Sequence, residues 1–82
     1  MTGNRLFDYY DDLDRLVESL GAVGRGDLAR ALASAKRAGC TSGEVLALTS
    51  VELRKIAREP LDSDVLEVAG RLEREGSALW QG

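Results

Sequence analysis

Histidine is absent from this 82-residue chain, and cysteine and proline occur once each. Without histidine the usual Cys/His zinc sites cannot be built. The commonest general base and the middle member of a Ser-His-Asp arrangement are missing too. Cys40 stands alone, so no internal disulfide can form. No apolar run approaches the ~20 residues of a membrane-spanning helix. The opening MTGNRLFDYYDD has no apolar core of a secretory signal, which makes the cytoplasm the expected location. An excess of positive charge is lacking as well: 11 Lys and Arg stand against 14 Asp and Glu, a net charge of −3. That balance disfavours nucleic acid and anionic membrane and favours a basic protein partner.

What is present describes one small folded domain, residues 1–82. A hydrophobic fraction of 44% and a charged fraction of 30% are ordinary for a globular chain and argue against disorder. The length allows a modest core but not a deep cleft walled by several layers. A non-catalytic binding role is therefore expected, with no cofactor, no metal and no small-molecule substrate.

The apolar spacing is helical throughout, and no alternating strand pattern competes. Leu6, Tyr10, Leu13, Val17 and Leu20 fall on one stripe widened by Tyr9 and Leu16, predicting a helix over about 5–20. Gly21, Gly24 and Gly26 then break the chain. Asp27 is placed to cap a second helix, about 28–38, whose stripe is Leu28, Ala31, Leu32, Ala35 and Ala38. Gly39 stops it. Thr41 and Glu44 have the spacing of a capping box and open a third helix, about 42–58, bearing Val45, Leu46, Leu48, Thr49, Leu53, Ile56 and Ala57. Pro60 ends it. A fourth helix is expected over about 63–75, with Val65, Leu66, Ala69 and Leu72 inward. Gly76 should release a tail, 76–82, whose Leu79 and Trp80 could fold back over the core. Four helices with short joints predict an all-α, somewhat irregular up-and-down bundle.

Charge is segregated along the chain. Asp8, Asp11, Asp12, Asp14 and Glu18 make the first segment acidic. Arg25, Arg30, Lys36 and Arg37 make the second basic, and Asp62, Asp64, Glu67, Glu73 and Glu75 return the last to acidic. The run DYYDDLD, residues 8–14, reads either as a solvated acidic first turn or as an interface in which carboxylates steer a cationic partner beside an aromatic anchor. It is no calcium loop, because it has no glycine for the sharp turn and its oxygens are interrupted by Tyr and Leu. The tripeptide Arg25-Gly26-Asp27 is accounted for by the cap, and GAVGRG follows no strand, so neither carries a function. Cys40 precedes a helix but reads as a packing residue.

Ala35, Gly39 and Val45 have the spacing of a helix-turn-helix. The positions that would meet bases are then Ser42, Gly43, Glu44 and Ala47, with no Arg, Asn or Gln among them, and Arg54, Lys55 and Arg58 come too late. A small DNA-binding regulator is the first alternative, and a docking or adaptor module of a larger assembly the second.

The run Thr41, Ser42, Gly43, Glu44, Val45, Leu46 continuing to Leu53, Arg54 and Ile56 resembles small helical bacterial immunity proteins encoded beside polymorphic or contact-dependent toxins. The resemblance covers about residues 13–58 and carries no catalytic residues. It implies stoichiometric neutralisation of a cognate toxin with a basic surface, in the bacterial cytoplasm. An acidic, aromatic-bearing face suits such a partner. The candidate binding residues are Asp8, Tyr9, Asp12, Asp14 and Glu18, with Asp62, Asp64 and Glu67 as a second face.

Overall fold

A computed structural model describes residues 5–81. The helices are α1 (Arg5–Ala22), α2 (Gly26–Ala38), α3 (Ser42–Ala57) and α4 (Ser63–Gln81). Each packs on its neighbours in sequence, and α4 closes the ring against α1. The result is the expected up-and-down four-helix bundle, 33 × 23 × 18 Å along its principal axes. Because successive helices run antiparallel, α1 and α3 point the same way from opposite corners.

The core is aliphatic. Leu13, Leu16 and Leu20 from α1, Leu32 from α2, Leu53 and Ile56 from α3, and Ala69 and Leu72 from α4 are all buried around Tyr9. Each large aliphatic side chain so placed stabilises the fold by ~1.5–3 kcal/mol before conformational entropy is counted. The α1 stripe is centred on Tyr9, Leu13, Leu16 and Leu20, while Leu6, Tyr10 and Val17 are half-buried at its edge. Tyr10, expected in the core, instead lies under Lys36, whose Nζ is 5.6 Å from the ring centroid.

Local signals account for the joints, with two corrections. The α1 helix runs through Gly21 and stops at Gly24, whose φ of +82° is the left-handed conformation glycine adopts without strain. Around it Gly24 N–H donates to the Gly21 carbonyl at 3.2 Å and Arg25 N–H to the Leu20 carbonyl at 2.9 Å, a Schellman closure. Asp27 does not cap α2. The N-cap is Arg25, with no side-chain cap bond, and Asp27 sits one residue inside the helix. Its carboxylate is taken by the Arg25 guanidinium at 3.2 Å. The expected alanine stripe is also displaced: Ala29 and Leu32 are the buried residues of α2, Ala31 and Ala35 are half-buried, and Ala38 at the helix end is exposed.

The capping box forms. Glu44 N–H donates to Thr41 Oγ1 at 3.2 Å, and the Glu44 carboxylate returns to accept from Cys40 N–H at 3.2 Å and from the Thr41 hydroxyl at 3.4 Å. The return bond reaches one residue further back than the motif requires. Leu48, expected inside, is 40% exposed because it lies on the side of α3 that no helix covers.

The largest correction concerns 76–82. No tail begins at Gly76, since α4 continues to Gln81; Gly82 lies outside the described residues. Gly76 is buried against Tyr9: a Cβ there would lie 3.0 Å from the Tyr9 Oη and 3.2 Å from its Cε1. The glycine is a seat for an aromatic ring, and tertiary packing offsets its poor helix propensity of about 1 kcal/mol. Leu79 packs on the core, while Trp80 is 62% exposed and lies over Gly43 in the first turn of α3.

Candidate protein-binding surface

The eight candidate residues separate into three environments. Tyr9 is fully buried, so it offers no surface to a partner. Its hydroxyl lies 2.8 Å from Thr49 Oγ1. Thr49 donates its single proton to the Val45 carbonyl at 2.7 Å, leaving the Tyr9 O–H to donate to Thr49. Burial raises the Tyr9 pKa, with the Thr49 bond opposing and the Tyr10 and Glu75 charges adding to the rise. Adjacent tyrosines point about 100° apart on a helix, and here the first of the pair turns inward.

Asp12 and Asp64 come together. They line one groove between α1 and α4, of about 300 Å³, together with Arg15 and Arg71 over a floor that includes Leu16 and Val68. Asp12 accepts from Arg71 at 3.3 Å. The two acidic segments are thus neighbours rather than separate faces, and their shared groove is balanced by two arginines. Asp62 and Glu67 are exposed on the α4 side.

Asp8, Asp14 and Glu18 are exposed on α1. Asp14 accepts from Lys36 at 2.7 Å, which ties α1 to the basic α2. The outward stripe of α1 is Phe7, Asp11, Asp14 and Glu18, at steps of four, three and four. Phe7 is 66% exposed at the N-terminal end of this stripe. Neither Phe7 nor Asp11 was among the candidates, although the signal was present: both fall off the apolar stripe and onto the opposite one. The exposed aromatic of this acidic face is Phe7, not Tyr9.

The opposite corner differs in character. Leu48 and Val51 on α3 and Trp80 on α4 are exposed apolar side chains, with Arg54, Lys55 and Arg58 further along the same side. Val51, Arg54, Ala47 and Trp80 help line a groove of about 330 Å³ between α3 and α4. Arg54 is shared with Glu73 at 2.9 Å, and Lys55 with Glu52 at 3.4 Å.

At the α1–α2 turn Arg25 also reaches Glu59 at 2.9 Å. Bonds to Asp27 and Glu59 hold this guanidinium charged and, from the Arg25 side, pull the Asp27 pKa down. Cys40 is exposed. Among the described residues no group of three His, Cys, Asp or Glu could hold a metal, and no helix is long and apolar enough to cross a membrane.

Comparison with protein families, curated proteins and solved structures returned no match. The immunity-protein resemblance therefore rests on the residues that carry it.

Proposed function

We propose that this chain is a non-catalytic protein-binding domain that neutralises a cognate bacterial toxin by stoichiometric binding, in the cytoplasm, through the outward face of α1. The observation that carries this reading is Phe7, an exposed aromatic at the head of an outward stripe of carboxylates, Asp11, Asp14 and Glu18, with Asp8 beside it. Desolvating the ring supplies affinity, and the carboxylates steer a basic partner and occupy the place of phosphate in a nucleic-acid cleft.

The helix-turn-helix alternative is supported less well. Arg25, at the start of α2, bonds Glu59 beyond the end of α3, so the two helices lie side by side and antiparallel. A DNA-reading pair crosses more steeply. The docking-module alternative shares the same face and differs in partner.

Co-expression with the product of the neighbouring gene tests the proposal. The expected result is relief of toxicity and a one-to-one complex. Asp11→Lys with Glu18→Lys should then slow association and flatten its salt dependence, while Phe7→Ala speeds dissociation at a cost of ~2 kcal/mol or more. A neighbouring multidomain enzyme in place of a toxin would favour the docking module. Duplex DNA binding that weakens steeply with salt would overturn the toxin reading.

A further inference from the structure

Among the described residues five large apolar side chains are exposed, and four of them lie on two opposite corners of the bundle: Phe7 on α1, and Leu48, Val51 and Trp80 on the α3–α4 side. The two corners carry opposite charge in the same register. On α1 the order is Phe7, Asp11, Asp14; on α3 and its C-cap it is Val51, Lys55, Arg58; both step by four and then three. In each case charge follows the apolar residue by about 6 Å and about 10 Å along the axis. One molecule cannot bring these faces together, since α1 and α3 stand on a diagonal and their outward sides face away from each other.

We propose that a second copy of this chain docks its α1 face on the α3–α4 face, head to tail. Because α1 and α3 run in the same direction, a copy displaced along the diagonal sets its α1 parallel to α3. Phe7 then enters the groove of about 330 Å³ between Val51 and Trp80, Asp11 faces Lys55 and Asp14 faces Arg58. Glu73 is paired with Arg54, and the Glu44 carboxylate, held by the Cys40 N–H, lies at the opposite end of α3 from Lys55 and Arg58. Asp14 keeps Lys36 and Lys55 keeps Glu52, so the new pairs extend existing ones. Exposed ion pairs contribute little singly. The aromatic ring is the anchor, and the association is weak and salt-sensitive. Each added copy leaves one face of each kind free, so growth is open-ended rather than a closed dimer. Self-association needs no toxin, so its test does not depend on the function proposed above, with which it competes for the α1 face.

Sedimentation of the full chain at about 1 mM in low salt, the regime of weak interfaces, tests this with two variants. One is Phe7→Ser with Asp11→Lys, which removes the α1 face. The other is Lys55→Glu with Arg58→Glu, which removes the α3 face. All four positions are exposed, and far-ultraviolet circular dichroism checks that both variants keep the helical signal. The wild-type mass should rise with concentration and fall back several-fold in added salt. Each variant alone should remain a monomer, while their mixture should pair through the one intact face from each and stop at two chains. A wild-type chain that stays monomeric, a variant that associates as the wild type does, or a mixture that never exceeds the monomer mass would each overturn the proposal.

Discussion

The Tyr9 hydroxyl of α1 and Thr49 Oγ1 of α3 meet at 2.8 Å across the diagonal of the bundle. The backbones of the two helices are not neighbours, so this bond joins opposite corners through an aliphatic core. Both side chains are fully buried. Each polar atom is satisfied by the other or by the Val45 carbonyl, and the pair aligns α1 and α3 at little desolvation penalty.

Removing one partner should cost more than removing both. Thr49→Val leaves the Tyr9 hydroxyl buried without an acceptor and should destabilise by about 1–3 kcal/mol; Tyr9→Phe should cost about 1 kcal/mol. The double variant should recover most of the Thr49→Val loss. Urea unfolding of the four proteins measures the coupling, and simply additive losses would show that the hydroxyls act independently.

Alkaline pH should weaken the fold through the same residue. The folded state holds the Tyr9 proton more tightly than the unfolded chain, whose tyrosine titrates near 10.0. The contribution is therefore complete below that value and is lost as pH rises through the higher folded-state pKa. Melting curves stepped through this window should show a slope that Tyr9→Phe lacks.

Two glycines of α4 should respond in opposite directions. A Cβ at Gly70 meets only the flexible end of Arg74 at 3.5 Å, so Gly70→Ala should stabilise by about 1 kcal/mol through helix propensity. At Gly76 the new methyl meets the Tyr9 ring, which Thr49 holds in place. Overpacking of ~1–3 kcal/mol should exceed the propensity gain. Thermal melts of both variants check the sign, and equal stabilisation would mean that the Tyr9 ring yields freely.

The α2–α3 joint should depend on its cap. Thr41→Ala removes the acceptor for the Glu44 N–H and should cost ~1 kcal/mol, whereas Thr41→Ser should cost little. Equal stability of the two variants in guanidinium would show that solvent replaces the bond.

Trp80 reports on its own seat. A Cβ at Gly43 would come within 2.6 Å of Trp80 Cζ3, so Gly43→Ala should push the indole away from α3. Since Trp80 is the sole tryptophan, a red-shifted emission relative to the wild type is the expected readout.

The number of helices and the places where three of them stop were legible because their causes are local. Apolar spacing, the Thr41–Glu44 box and Pro60 act within a turn or two of their own position, and the structure keeps all three. The candidate face was legible only as a cluster of carboxylates. Choosing between Phe7, Tyr9 and Tyr10 as its aromatic depends on how α1 is rotated about its axis. That rotation is set by what the other helices offer the ring: a hydroxyl at Thr49 and an empty position at Gly76.

By itself, then, the sequence determined an all-helical chain with acidic ends and a basic second helix, because composition and helical period need no partner to be read. Tertiary structure decided the rest. Gly76 became a packing position instead of a helix end because Tyr9 fills the space a Cβ would take. Asp12 and Asp64, distant in the chain, share a groove with two arginines because α4 returns beside α1. Phe7 stayed outside because the inward side of α1 was already filled by Tyr9, Leu13 and Leu16. These outcomes turn on which surfaces meet, and that is settled only when the four helices are packed together.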